Sequence, residues 1–376
     1  MKKFLLSIFS IFLSFSLFAF DFGGSVKNDF SGTNNSDNIS LEDKVDVSLW
    51  LKIPLDFQGN TTLNFEAAYI GHFVQNLGFS NYFDIRKLNI KMRIPLSTNW
   101  NCVYLMGRQD FTDLSTYIYN DNLDQLSFDF NFNYFKFNIL AGYTGFLNGY
   151  THKTFLPTEY FDNTKYYIQN KIPALVFDGK ITLNSLFNFS PFSVEFLNIS
   201  VLQPEKQNKM YINLQLNREL TDFHKLNIFT SFLFSSKNAN KIANFTKAYF
   251  SYKNENRELS IHGLFASNSN TKLSTYEPYS FTSLSKIKNI PLSNLISFGG
   301  SFLQNLSNIS IFTFDMSPFF SLSEKSSKIE YTGTEFLLNL KINPTKDFNL
   351  LFGFRDYLSA EKQNQSYFDI NIKLDY

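Results

Sequence analysis

The chain has 376 residues with a formal net charge of +1, and among them are 46 phenylalanines, 20 tyrosines and one cysteine. So aromatic a composition excludes disorder, the near-neutral charge speaks against a nucleic-acid partner, and a lone Cys102 leaves neither an intrachain disulfide nor a multi-cysteine metal site. Hydrophobic residues make up 44%, yet mean hydropathy is −0.17, so the arrangement of the apolar residues must carry the information.

Met1-Lys2-Lys3 is a short positive segment, and Phe4 to Phe18 is apolar apart from serines. Residues 1–20 read as a secretory signal peptide with cleavage near Ala19/Phe20. The apolar stretch falls short of the ~20 residues of a spanning helix. No cysteine follows it, which excludes a lipoprotein, and residues 21–376 remain as a single domain.

The rest of the chain is a series of period-2 segments, each with one apolar and one polar face. The first clear one is Val45, Val47, Leu49, Leu51, Ile53, Leu55 and Phe57. In chain order come faces on Leu63/Phe65/Ala67/Tyr69, Leu88/Ile90/Met92/Ile94, Leu126/Phe128/Phe130/Phe132 and Phe135/Phe137/Ile139/Ala141/Tyr143. Further faces follow on Ile212/Leu214/Leu216, Leu226/Ile228/Thr230/Phe232/Phe234, Leu259/Ile261/Gly263/Phe265 and Ile296/Phe298/Gly300/Phe302. The series ends with Phe336/Leu338/Leu340/Ile342, Phe348/Leu350/Phe352/Phe354 and Phe368/Ile370/Ile372/Leu374/Tyr376. No comparable stretch has a 3.6-residue period.

The connections alternate. Tight links lie near 58–60, 97–99, 133–134, 188–191, 221–224, 254–256, 304–307 and 343–347. Longer polar links lie near 31–38, 74–81, 109–120, 147–171, 203–209, 236–242, 267–290, 321–327 and 358–365. About eight turns and nine loops imply about eighteen strands, with sixteen as the alternative, and short periplasmic turns with long outer loops mark a membrane barrel. Lipid offers no hydrogen bonds to a free backbone, so a β protein within it must close. The predicted fold is all-β: a transmembrane antiparallel up-and-down barrel, whose longest extracellular loops, 147–171 and 267–290, are both rich in aromatics.

The last strand ends the chain on an aromatic residue, with Phe368, Ile370, Ile372, Leu374 and Tyr376 on one face. This resembles the terminal assembly signal of bacterial outer-membrane barrels, although the usual last residue there is Phe. Gly107-Arg108-Gln109-Asp110-Phe111 also looks like a segment common in porin-type barrels. The resemblance implies a porin-like protein of the bacterial outer membrane. Its partners would be membrane lipid, the barrel-assembly machinery and small hydrophilic solutes, with a homotrimer as the family's frequent assembly and no cofactor.

A barrel of this strand number encloses an aqueous channel. Alternation nominates Lys52, Lys87, Lys91, Arg93 and Arg355 as basic pore-lining residues, with Asp129, Glu258 and Glu335 as acidic counterparts. Lys44, Asp46, Glu66, Lys136, Asp178, Lys180, Lys341, Asp369 and Lys373 follow the same rule. A mixed lining with a positive excess favours anions. Arg108 is a further candidate: if the loop at 109–120 folds inward, it sets this arginine against Asp110, Asp113, Asp121 and Asp124 as a constriction. Its parity is open, because Val103/Leu105 serve equally well as the lipid face. His72, His152, His224 and His262 have no metal-ligand spacing, and no nucleophile-elbow motif is present. The leading reading is therefore a non-enzymatic passive channel for small hydrophilic solutes. The alternative is a surface adhesin acting through its long loops, and a transporter of hydrophobic molecules ranks third.

Overall fold

The computed structural model describes residues 20–35, 38–75, 78–97, 100–144, 174–186, 190–202, 206–236, 242–267, 276, 294–322, 329–361 and 364–376. Residues 1–19 of the expected signal peptide, the loop 147–171 and most of the loop 267–290 lie outside the described residues. The strands are β1 (Asp21–Asn35), β2 (Asn38–Pro54), β3 (Thr61–Val74), β4 (Gly78–Ser97), β5 (Trp100–Thr112) and β6 (Asn120–Asn131). They continue with β7 (Phe135–Tyr143), β8 (Ala174–Leu186), β9 (Ser190–Val201), β10 (Gln207–Glu219), β11 (His224–Ser235) and β12 (Ile242–Lys253). The last six are β13 (Arg257–Ala266), β14 (Leu295–Ser307), β15 (Ser310–Leu322), β16 (Ile329–Ile342), β17 (Phe348–Ser359) and β18 (Gln365–Asp375).

Each strand pairs antiparallel with the next, and β1 pairs with β18, so one 18-stranded sheet closes on itself. The closure is reciprocal at the chain ends: Gly24 N donates to Tyr376 O at 2.9 Å, and Tyr376 N donates to Gly24 O at 3.0 Å. The expected barrel with eighteen strands is the observed one.

Alternation sorts the two faces of the wall. In β18, Phe368, Ile372 and Leu374 are exposed outward, whereas Asp369 between them is buried on the inner side. The register carries this across the sheet, since Ile370 lies opposite Phe352 and Phe30, while Asn371 lies opposite Leu351 and Asp29. Replacing Ile370 by Arg is expected to cost about 2–4 kcal/mol, the cost of a basic residue on the lipid face at mid-membrane. The same replacement at Asn371 is expected to cost far less. Urea titration of the two variants refolded into lipid vesicles checks this, and equal losses would refute the face assignment.

On the turn side, outward aromatics stack into a belt. The Trp100 and Phe132 rings meet edge-on at 5.0 Å between centroids, and Phe132 and Phe135 stack at 4.3 Å. Such girdles mark the membrane boundary, where an amphipathic or flat ring sits at the headgroups.

The loop side departs from the sequence expectation at the first two links. These are only 36–37 and 75–77, because β1 to β4 run to 15, 17, 14 and 20 residues and absorb the polar segments as strand. At roughly 3.3 Å per residue, β4 is about 66 Å long, well beyond what the apolar band of a membrane requires even when tilted. Backbone groups in a polar hairpin still need partners, and extending an existing ladder supplies them.

Candidate functional site

The inner wall at β2 to β4 carries a charge cluster built by a β-bulge. Glu66 pairs with Lys87 and Ala67 with Ile85, leaving Arg86 as the extra residue. A bulge inserts one residue and so sends two neighbours to the same face. Arg86 and Lys87 thus both enter the lumen. Lys87 Nζ lies 2.6 Å from Glu66 Oε2. Arg86 pairs with Asp46 and lies 4.0 Å from both Glu66 Oε1 and Asp84 Oδ2. Strict alternation names Lys87 and misses Arg86, because the bulge leaves no mark in the apolar pattern.

The other expected lumen residues are distributed along the barrel. Lys52 and Arg93 are exposed, near the turn side of β2 and β4. Glu258 accepts a hydrogen bond from Tyr249 Oη at 3.0 Å. Arg355 Nη1 lies 3.7 Å from Glu335 Oε1. Lys91 and Asp129 line a recess in the inner wall with Lys136, Lys180, Asn138 and Thr182. Asp129 Oδ1 there accepts from Asn138 Nδ2 at 2.5 Å. The recess brings together three ammonium groups and one carboxylate in the turn-side half of the lumen.

Arg108 is not a lumen residue. It pairs with Leu88 on one side and Asp124 on the other, on the face that carries Met106 and Leu126. Met106 and Leu126 are 49% and 40% exposed outward, whereas Arg108 is 3% exposed. Its Nη1 lies 3.7 Å from Asp124 Oδ2. Val103 and Leu105 hold the inner face instead, with Val103 lining the lysine recess. The expected constriction between Arg108 and the carboxylates is corrected accordingly. Asp110 belongs to β5 and Asp121 and Asp124 to β6, so of those four carboxylates only Asp113 lies in the connecting loop.

That loop, residues 113–119, does fold into the lumen. Asp113 organises it: Oδ1 accepts from Ile118 N at 3.0 Å and Tyr119 N at 2.9 Å, and Oδ2 accepts from Ser115 N at 2.7 Å and from the Ser115 hydroxyl. Burial pushes the Asp113 carboxyl up, against the hydrogen bonds from Ser115, Tyr119 and Ile118 that pull it down. Two distant strands hold the loop. Leu114 N donates to both oxygens of the fully buried Glu195 on β9 at 3.2 Å, and Lys247 Nζ on β12 donates to Tyr117 Oη at 2.8 Å.

The loop lands on an apolar patch that the alternation rule does not anticipate. Val176, Leu197, Ile199, Tyr211, Phe229 and Phe245 are buried inward and pack with Ile118 and Tyr119. Tyr276, from the connection between β13 and β14, enters the same cluster and donates to Ser231 Oγ at 2.9 Å. Burial pushes its hydroxyl well above the usual tyrosine value. These inward phenylalanines account for part of the Phe excess that lipid contact does not.

His262 reaches from β13 over Gly299 of β14 to place Nε2 3.1 Å from Ser317 Oγ on β15. Ser317 Oγ in turn donates to Asp315 Oδ1 at 2.8 Å. The serine stands between imidazole and carboxylate. A hydrolytic triad instead needs the imidazole in the middle, so that it accepts the serine proton while the carboxylate orients it.

No protein-family model matches the sequence, and no curated protein does. Solved structures do. The chain is similar to OccK5 (OpdH) of Pseudomonas aeruginosa, at 11% identity over 95% of this chain and 98% of that one, with a TM-score of 0.61. It is similar to OpdK from the same organism, an outer membrane protein, at 7% identity over 95% and 99%, with a TM-score of 0.61. The fold is that of a bacterial outer-membrane porin. OpdQ, again from Pseudomonas aeruginosa, matches at 8% identity over 95% and 98%, with a TM-score of 0.63. The porin fold therefore extends over nearly the whole described chain, while the side chains lining the lumen are this protein's own.

Proposed function

We propose that this porin-type barrel is a passive channel for small hydrophilic solutes, with anions favoured. The observation that carries the reading is the recess of Lys91, Lys136 and Lys180, where Asp129 is the one carboxylate. A cluster of like charge in a water-filled tube with low-dielectric walls raises the local concentration of counter-ions. Loop 113–119 narrows the lumen on the extracellular side of that recess, so a solute passes the loop first and the lysines second. The reading needs no chemical step. It includes export by residues 1–20 and recognition of the strand Phe368–Tyr376 by the assembly machinery. OpdK has been crystallised with vanillate, which is a fact about that protein.

Planar-bilayer recording of the refolded chain tests the reading, and absence of conductance in every preparation would overturn it. Replacing Lys91, Lys136 and Lys180 together by Glu is expected to shift the reversal potential in a KCl gradient from anion towards cation preference. An unchanged reversal potential would remove the recess from the account.

A further inference from the structure

The cations of the lumen fall into two groups. Arg86, Lys87 and Arg355 are each met by a carboxylate across the wall. Lys91, Lys136 and Lys180 line one recess, and among the described residues none of the three forms an ion pair or a hydrogen bond. Two further carboxylates stand near Lys180 without taking it. Glu195 lies opposite it in register but is engaged by Leu114 N and Asn213 Nδ2, and Asp178 is buried outside the recess. Three ammonium groups against Asp129 alone leave the lining at +2. Asp129 gives Oδ1 to Asn138, and its other oxygen receives no bond from the described residues.

Register places these groups around one another. Asp129, Asn138 and Lys180 are successive partners on β6, β7 and β8 and share a rung. Lys136 pairs with Thr182, two residues from Lys180, so the two lysines are diagonal neighbours whose stems start about 7–8 Å apart. Val103 continues the rung beyond Asp129, and Lys91, diagonal to it on β4, closes the other side. The recess holds about 260 Å³. That is just below the range of drug-sized sites, so a ligand here is small. A monoanion would cancel only half of the lining charge. A phosphomonoester carries a charge of about −1.5 to −2 at neutral pH, on three strong acceptor oxygens. Ammonium groups suit it as point charges, whereas a planar carboxylate is met best by a guanidinium fork, and no arginine lines the recess. The open oxygen of Asp129 asks for a donor beside the phosphoryl group, which a hydroxyl supplies.

We propose that the recess binds a small polyol phosphate, a solute of the glycerol phosphate or sugar phosphate class. The phosphoryl group lies against Lys136 and Lys180 with Lys91 approaching from the opposite side, and a neighbouring hydroxyl donates to Asp129. The inference rests on the reading of this barrel as an anion-favouring channel and adds the class of anion.

The test is a titration of the refolded full chain in detergent with glycerol 3-phosphate, followed by phosphorus NMR, which reads binding without needing a current. Saturable binding is expected. Succinate, a dianion without phosphoryl or hydroxyl groups, is expected to displace it only at about tenfold higher concentration. Lys136→Gln combined with Lys180→Gln is expected to weaken binding by about tenfold or more, since charge-assisted bonds are lost. Lys341→Gln, on β16 and outside the recess, controls for removal of a lumen charge and is expected to change binding by less than about twofold. Asp129→Asn is expected to weaken glycerol 3-phosphate but to strengthen methyl phosphate, which has no hydroxyl to lose and sheds a repelling charge. Displacement by succinate at equal concentration, or equal losses in Lys341→Gln and the double variant, would overturn the proposal. Saturable binding by a barrel that carries no current would sink the channel reading and leave the site standing, and current without saturable binding would do the reverse.

Discussion

Gly107→Val is expected to prevent the barrel from closing. The backbone at this position has φ of 122°, a region that side chains of L-residues rarely adopt, and the new Cβ would meet Leu88 O at 2.2 Å and Asn89 Cα at 2.9 Å. Backbone strain of this kind costs about 1–3 kcal/mol even without a clash, and β-branching makes it worse. Relief requires β4 and β5 to separate below Arg108. That would break the ladder through Asn89, whose Nδ2 donates to Arg108 O at 2.9 Å. Closed barrels resist SDS without heating, so the variant should run as the unfolded band in unheated gels. Gly179→Val is the comparison, since nothing lies within 4 Å of a Cβ there. If both variants fold equally well, the constraint assigned to Gly107 is absent.

Asp113→Ala is expected to release the loop while leaving the barrel intact. The carboxylate accepts three backbone N–H groups within residues 115–119, and the loop folds around those bonds. Each buried donor left unpaired costs about 1–3 kcal/mol. No strand ladder depends on them, so resistance to SDS should persist. Single-channel recordings should show a larger mean conductance and slower, larger fluctuations than wild type. Asp113→Asn keeps one acceptor oxygen and should fall between the two. A conductance trace of Asp113→Ala indistinguishable from wild type would show that residues 113–119 do not set the bore.

The fold was legible because a membrane barrel imposes two regularities at once, alternation along each strand and sorting of the links. Turns such as those near Gln58-Gly59-Asn60, Asn254-Glu255-Asn256 and Asn343–Asp347, taken with the longer loops, imply about eighteen strands, with sixteen as the alternative. What escaped is what breaks the period locally. The bulge at Arg86 changes parity without changing composition, so a lumen arginine goes unnoticed beside Lys87. The positions of Tyr104, Met106 and Arg108 share one face, but Val103 and Leu105 are as apolar as Tyr104 and Met106. Only the register with Leu88 and Leu126 decides which pair meets lipid. The inner patch of Phe229 and Phe245 escaped for another reason. It exists because a loop from β5 packs onto β11 and β12, a contact between residues more than a hundred positions apart. Glu195 was missed in the same way, since its partner Leu114 is 81 residues distant.

The reciprocal bonds between Gly24 and Tyr376 have a consequence for how the protein comes into being. Every other strand pairing joins neighbours in sequence and can form as soon as the second strand exists. The β1–β18 pairing waits for the final residue. The entropy of bringing such distant ends together grows only logarithmically with chain length, by about 0.6 kcal/mol per doubling, so the delay is a matter of time more than of energy. Until that moment the growing sheet carries two raw edges and an uncovered apolar face, the features that draw unrelated chains into aggregates. Closure of this barrel is thus separated from its synthesis by geometry: the last ladder forms only after both edge strands are present.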